Sequence, residues 1–526
     1  MGGLRLLALV VVTVAVVHQW AVGGGGVMGN FVFEVENKFK AGGERERTLS
    51  ALKQHDARRH GRMMASIDLE LGGNGHPSAT GYVLFFFFVF DCILILYILL
   101  FIYICESSLG LSIRLYFTKV GLGTPTDEYY VQVDTGSDLL WVNCAGCSRC
   151  PTKSDLGIKL TLFDPSKSST SGEIACSDNF CRTTYNNRYP SCSPGVRCEY
   201  VVTYGDGSST SGYFVRDIIQ LNQASGNLKT APLNSSVIFG CGNRQSGDLG
   251  SSTDAAVDGI LGFGQANSSL LSQLAAAGNV RKEFAHCLDV VKGGGIFAIG
   301  DVVSPKVKTT PMVPNMPHYN VILEEVEVGG NPLDLPTSLL GTGDERGTII
   351  DSGTTLAYLP PMLYDLVLSQ ILDRQPGLKM HTVEEQFSCF QFGKNVDDAF
   401  PTVTFKFKGS LSLTVYPHEY LFQIREDVWC IGWQNGGLQN HDGRQMILLG
   451  DLVLSNKLVV YDVQNQTIGW TDFNCSSSIK LRDEKSGAEY SIGGHNLLSS
   501  AFNLTVGRIF MFLPVLFALL QSFSAF

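Results

Sequence analysis

Val131-Gln-Val-Asp134-Thr-Gly-Ser137-Asp138-Leu-Leu-Trp141 is one of two closely similar stretches in this chain, and its reading decides the fold. The other is Gly347-Thr-Ile-Ile-Asp351-Ser-Gly-Thr354-Thr-Leu, whose Asp lies 217 residues after the first. Each runs from apolar β-formers into Asp, a small hydroxyl residue, Gly and a second hydroxyl residue. The apolar run suits a buried strand. The Gly lets the chain turn sharply just after the Asp. The neighbouring hydroxyls can donate to the carboxylate and hold it ionised. One such tetrapeptide is compatible with any strand that ends in a tight turn. Two copies point to a pair of related lobes, each supplying one carboxylate.

A second echo supports duplication. Gly259-Ile-Leu-Gly-Phe-Gly264 follows the first Asp, with Gly259 125 residues on. Ile447-Leu-Leu-Gly-Asp451 follows the second, with Ile447 96 residues on. Both are an apolar pair closed by Gly.

In these motifs the chain resembles a pepsin-family aspartic protease, and within that family the plant nepenthesin- and nucellin-like branch. The resemblance covers roughly Tyr116 to Cys475. Tyr204-Gly-Asp-Gly-Ser208 resembles the flap hairpin, with Tyr204 as the flap tyrosine followed by Gly205. Trp141 resembles the tryptophan that packs beneath it. Val460-Tyr-Asp-Val-Gln-Asn-Gln-Thr-Ile-Gly469 resembles the last strands of the second lobe. The resemblance implies an all-β, bilobal pepsin-like fold with the active-site cleft between two related β-lobes. It also implies a peptide-bond hydrolase acting on protein or peptide substrates, most active in acid. Asp134 and Asp351 would be catalytic. Thr135 and Ser352 would brace them, Gly136 and Gly353 would form the turns, and Ser137 and Thr354 would orient the carboxylates. No metal or organic cofactor is implied, and the working unit is expected to be a monomer.

The chemistry needs two carboxylates. Like charges a few ångströms apart do not both ionise easily, so the pair shares one proton. One Asp then serves as general base on a water while the protonated one polarises the scissile carbonyl. Such a titration belongs to the pair.

At 526 residues, two or three structural units are expected. The net charge of −10, with no long Lys/Arg run, argues against nucleic acid as a partner. Of 14 Cys, Cys92 and Cys105 sit in or beside an apolar run, and the other twelve lie between Cys144 and Cys475. That even number fits six disulfides. Behind a secretory leader, disulfides are favoured over metal binding. Cys144-x-x-Cys147-x-x-Cys150 keeps zinc as a lesser alternative, because no partner pair with finger spacing follows. By resemblance, Cys176–Cys181 is expected as a small loop bridge, Cys389–Cys430 within the second lobe, and Cys287–Cys475 between the chain's end and the region joining the lobes. The remaining six are left unpaired by the sequence.

Residues 1–26 read as a signal peptide, with Arg5 ahead of a short apolar core and small residues after it. Residues 27–81 read as a propeptide whose basic stretches, Glu44-Arg-Glu-Arg and Leu52-Lys-Gln-His-Asp-Ala-Arg-Arg, could pair with carboxylates of the cleft. A chain starting at Tyr116 that shows the same latency at neutral pH would refute that role. Tyr82 to Ile104 is a 23-residue apolar run with one charge, Asp91. By length it suits a transmembrane helix. By position it interrupts a junction: members of the resembled family run directly from a segment like Ser78-Ala-Thr-Gly81 into one like Leu115-Tyr-Phe-Thr118. Residues 82–114 are therefore read as an intron retained in the gene model, with a membrane span as the alternative. Abundant message carrying the insert would favour the span.

The first lobe is expected over 115–301, a linker over 302–317, and the second lobe over 318–475. Helices are expected from Leu270 to Ala277 and from Pro360 onward, where an early Pro is tolerated. Asn234, Asn267 and Asn465 head glycosylation sequons, and Asn474 heads a doubtful fourth beside Cys475. Residues 476–526 read as a polar tail closed by an apolar run from Ile509 to Leu520, which suits a glycosylphosphatidylinositol (GPI) signal. Ser499 is the candidate attachment residue, with Ser491 and Gly493 as competitors. The expected location is the secretory pathway and cell surface, with membrane contact through a lipid anchor or an apolar segment. The competing reading of the whole is a catalytically silent binding or inhibitor protein on the same fold. A third is a membrane-attached adhesion or signalling ectodomain in which the dyad is incidental.

Overall fold

The computed structural model describes residues 30–34, 36–37 and 116–493, apart from 155, 157, 190–191, 204–207, 251–255, 290–293, 337–338, 341–346, 384–386, 426, 437–444 and 484–485. Strands dominate, and the pepsin-like bilobal organisation expected from the sequence is present. Each lobe holds its Asp in the same way. In the first, Asp127–Asp134 runs parallel to Gly259–Gly262, which in turn pairs antiparallel with Leu140–Ser148. In the second, Thr348–Ile350 runs parallel to Leu448–Leu449, which pairs antiparallel with Ala357–Leu359. The apolar pair closed by Gly is therefore the strand laid beside each Asp-bearing strand. These inner strands are near-continuous apolar runs because they are covered on both faces.

The two lobes meet over one antiparallel sheet made by both. Its order runs from Lys308–Pro311 through Thr467–Asp472, Lys457–Asp462, Glu283–Leu288, Gly295–Ile299 and Phe31–Glu34 to the long strand Ser209–Gly226. The period of two divides its side chains sharply. One face carries Phe33, Phe284, Phe297 and Tyr461, packed into the main core. The other carries Val32, Ala285, Cys287, Ile296, Ala298, Leu458 and Val460. That second face is covered by the hairpin Ile479–Arg482 and Glu489–Ile492, whose Ile479, Leu481 and Ile492 are buried against it. Asp301–Ser304 forms the hairpin's outer neighbour.

One segment reading changes here, and a second segment contributes a strand. The residues after Cys475 do not form a polar tail throughout: up to Ile492 they are a built part of the fold. Their alternation of apolar and charged residues, Ile479-Lys-Leu481-Arg, is the strand signal, and it is short enough to be lost in a polar background. Ser491 lies in the last of these strands, paired with Lys480, and its amide is bonded to Asn227. Phe31–Glu34, inside the segment read as a propeptide, is a central strand held between Gly295–Ile299 and Ser209–Gly226. The other sequence features of the flanks, namely the leader, the basic stretches, the insert at 82–114, Ser499 and the apolar run from Ile509, lie outside the described residues.

The helices fall where expected, at Leu270–Ala276 and Pro361–Leu372, the latter with Pro361 in its first turn. Among the described residues six disulfides are formed. Cys287–Cys475 and Cys389–Cys430 are as expected. Cys176–Cys181 is not: Cys176 bonds Cys192 and Cys181 bonds Cys198. Asp178 caps a helix over Asn179–Thr184, which puts Cys181 inside the helix, buried and bonded to Cys198 just ahead of the strand Glu199–Thr203 rather than to Cys176. Cys144–Cys241 and Cys147–Cys150 complete the set. The Cys144-x-x-Cys147-x-x-Cys150 run is thus covalently paired. Among the described residues no cluster of His, Cys, Asp or Glu is arranged to hold a metal.

Candidate active site

Asp134 ends its strand at the Gly262 register position, and its carbonyl accepts the Phe263 amide at 2.7 Å. Asp351 follows its strand directly, and its amide donates to the Leu449 carbonyl at 3.1 Å. Both side chains are almost wholly enclosed, at 1% and 4% relative exposure. Each turn closes on its own carboxylate. The Gly136 amide donates to Asp134 Oδ1 at 2.8 Å, and the Gly353 amide donates to Asp351 Oδ1 at 2.8 Å. The glycine beside each Asp strand is required by space. A Cβ at Gly262 would lie 2.5 Å from the Asp138 carbonyl carbon, and one at Gly450 would lie 2.4 Å from the Thr354 oxygen. The chain after each Asp crosses the facing strand at backbone contact.

The lobes interlock at the dyad. Thr135 Oγ1 accepts the Ser352 amide at 2.9 Å and lies 3.3 Å from both Asp351 Oδ1 and Ser352 Oγ. Its single proton is best spent on the carboxylate, the strongest acceptor within reach. Thr354 Oγ1 donates to Asp351 Oδ2 at 2.7 Å. The Asp351 carboxylate comes so close to the first lobe that a Cβ on Gly136 would stand 2.7 Å from Oδ2. Residues 217 apart in sequence are thereby brought to one point, with polar donors converging on it.

Most of the expected site residues assemble here, and their placement is not uniform. Thr135, Gly136, Ser352, Gly353 and Thr354 all touch the dyad. Ser137 does not orient Asp134 as expected: its Oγ is buried without a partner among the described residues, while its carbonyl accepts the Gly264 amide. Trp141 is buried among Tyr200, Phe214 and Ile260. Tyr204 and Gly205 lie outside the described residues. The strands flanking them, Glu199–Thr203 and Ser209–Gly226, pair from Glu199 with Tyr213 to Thr203 with Ser209. Asn234, Asn267 and Asn465 are at the surface, as is Asn474.

Three buried residues of the surrounding core belong to no motif that points to the site. Tyr319 donates to the Phe263 carbonyl at 2.6 Å. Tyr461 is fully buried in the sheet shared by both lobes, and His286 lies 3.1 Å from its hydroxyl. The available signal was a polar residue inside an apolar strand, Phe284-Ala-His286-Cys-Leu. Asp258 is also enclosed. It accepts the Tyr130 amide at 2.8 Å and the Thr161 amide at 2.6 Å, and burial raises its carboxyl to about 6.

Comparisons with known proteins show what the chain is similar to. Residues 116–301 match the family described as "Xylanase inhibitor N-terminal", and residues 318–472 match "Xylanase inhibitor C-terminal". The chain is 52% identical to "Aspartic proteinase 36" of Arabidopsis thaliana over 499 residues, 95% of each chain. It is 50% identical to "Aspartic proteinase 39" of the same plant over 512 residues, 97% of each. "Aspartic proteinase nepenthesin-2" of Nepenthes gracilis is 28% identical, over 69% of this chain and 78% of that one. Among solved structures, basic 7S globulin from soybean superposes with a TM-score of 0.53 at 20% identity, over 68% of this chain and 93% of that chain.

Proposed function

Because this chain belongs to the plant aspartic proteinases, we propose that it is an active endopeptidase, in which Asp134 and Asp351 share a proton and activate water against a peptide bond. The observation that carries the reading is the convergence of Thr135, Gly353 and Thr354 on the Asp351 carboxylate, with the first lobe's Gly136 pressed against it. A carboxylate so enclosed and so fully bonded is costly to assemble without a use for its charge. The substrate is an extended protein segment laid across the cleft between the lobes, covered by the hairpin around residue 204. A secreted or cell-surface location fits six disulfides. Attachment by a lipid at Ser499 and removal of a leader and propeptide belong to the same proposal, as does a monomeric working unit.

The family descriptions favour one second reading, a catalytically silent inhibitor on the same fold. The two separate in one assay. The secreted chain is incubated with denatured protein at acid and neutral pH beside its Asp351→Asn variant, and each is tested for inhibition of a xylanase. Acid-dependent cleavage lost in the variant supports the protease. Inhibition without cleavage, unchanged by the variant, supports the inhibitor.

A further inference from the structure

Phe31–Glu34 lies in the middle of the sheet that both lobes share, although it stands far ahead of the first lobe in sequence. On one side it pairs antiparallel with Gly295–Ile299, from Phe31 with Ile299 to Glu34 with Ile296. On the other it pairs with Ser209–Gly226, at Gln223 and Asn222. The Ala224 amide donates to the Asn30 carbonyl at 3.0 Å, and Asn30 Nδ2 donates to the Arg482 carbonyl at 2.9 Å. Phe31, Val32 and Phe33 are all buried. Phe31 and Phe33 enter the main core, and Val32 enters the core on the opposite face. Phe33 meets Phe263 edge-on at 6.0 Å and Phe297 at 5.9 Å. Phe263 in turn carries the amide bonded to the Asp134 carbonyl.

Among the described residues, Phe31–Glu34 is the one strand that stands between Gly295–Ile299 and Ser209–Gly226 in this sheet. Without it both neighbours lose a ladder partner, their amides and carbonyls go unpaired beside a core, and two gaps the size of a phenylalanine open. Beyond this strand the chain leaves and returns at one place. Glu36–Asn37 pairs antiparallel with the start of Tyr116–Leu122, Glu36 with Phe117 and Asn37 with Tyr116. Directly opposed residues of such a pair have Cα atoms about 4.5–5.5 Å apart, so the whole of 38–115 is joined to the fold at two adjoining points. A cut within it breaks no ladder bond among the described residues.

We propose that Phe31–Glu34 is a permanent strand of the working protein, and that hydrolysis of peptide bonds within 38–115 leaves it in place as a separate, tightly held peptide. The slot between Gly295–Ile299 and Ser209–Gly226 is thus a binding surface whose partner is the chain's own N-terminal segment. What it recognises is the run Phe31-Val-Phe33, which fills both cores at once while its backbone completes the sheet. The cut molecule is two chains held by strand pairing and packing alone, since no cysteine precedes Cys92. Each cut consumes one water and leaves a carboxylate and an amine. The proposal confines the propeptide that is removed to residues after Asn37, and it holds whether or not the dyad is catalytic.

The test uses the full chain with the recognition sequence of a site-specific endopeptidase inserted between Gly73 and Asn74, cut by that endopeptidase after folding. Gel filtration in native buffer, with mass spectrometry of the eluted protein, is expected to find the N-terminal fragment in the same peak as the remainder. In denaturant the two are expected to separate. The melting temperature of the cut protein is expected to rise with protein concentration, as a two-chain unit requires, while that of the uncut chain stays constant. Phe33→Ala is expected to release the fragment at concentrations where the parent keeps it. If Phe33→Ala does not fold, the parent arms carry the test. Release of the parent fragment in native buffer, whether or not the remainder stays folded, overturns the proposal. So does a melting temperature of the cut protein indifferent to concentration, or equal retention of the fragment by folded Phe33→Ala. A parent chain that cleaves nothing refutes the protease reading and leaves this test intact, because the added endopeptidase makes the cut.

Discussion

The Thr135 hydroxyl accepts the backbone N–H of Ser352 at 2.9 Å, so the first lobe supplies a support for the second lobe's active-site turn. That bond, made across 217 residues of sequence, sets the two carboxylates in one site. It makes the geometry of the paired carboxylates depend on how the lobes dock.

Thr135→Val removes a hydroxyl while keeping its volume. The variant leaves the Ser352 amide without this acceptor and removes one of the donors to Asp351 Oδ1, which keeps the Gly353 amide. A hydrogen bond to a charged group contributes about 1.5–3 kcal/mol, so kcat/KM is expected to fall roughly ten- to hundredfold. Thr135→Ser retains most of the activity. Steady-state kinetics with both variants checks this.

Gly136→Ala is expected to abolish cleavage. Its Cβ would stand 2.7 Å from Asp351 Oδ2, and the nearest atoms belong to a carboxylate fixed by Gly353 and Thr354 rather than to a mobile chain end. Circular dichroism should show a folded protein with a lowered Tm. Retained activity would mean that the carboxylate relaxes easily.

Stability should rise as the medium becomes more acidic from neutral. Burial raises the Glu283 carboxyl to about 7, with Asp462 adding to it, and raises Asp258 to about 6. Both groups bind protons more tightly folded than unfolded. Their contribution is therefore fully present below the ordinary carboxylate range and is lost as pH climbs through about 6 to 7. Melting curves from pH 4 to 7.5 are expected to show a falling Tm, and Glu283→Gln should flatten the upper part of that fall.

The hairpin after Cys475 is structural. Leu481 is fully buried against the small-residue face of the central sheet, so Leu481→Ala should destabilise the fold by about 2–5 kcal/mol. Chemical denaturation measures it. A change near zero would mean that the hairpin docks loosely.

The duplicated Asp-containing stretches and their glycine echoes made the bilobal β fold and its central carboxylates legible, because each is a local pattern with a local cause. Strand periodicity, a turn needing Gly and a small hydroxyl beside the carboxylate are all visible in ten residues. What was hidden depended on contacts between distant segments. Cys181 pairs by where a six-residue helix sits, not by its nearness in sequence to Cys176. Ser137 has the residue type for a carboxylate ligand, yet its Oγ has no partner among the described residues. His286 and Tyr461 meet only because Glu283–Leu288 and Lys457–Asp462 are neighbours in a sheet shared by both lobes. Phe31–Glu34 joins that sheet from a stretch that reads as a propeptide.

The central claim is that Asp134 and Asp351 act as one acid–base unit. It is tested most directly by the pH profile of quenched-peptide cleavage for the full chain, for Asp134→Asn and for Asp351→Asn, each verified as folded. The account predicts cleavage confined to acid in the parent chain and its loss in both variants. Substantial cleavage by either folded variant, or a parent profile indifferent to pH, would contradict it.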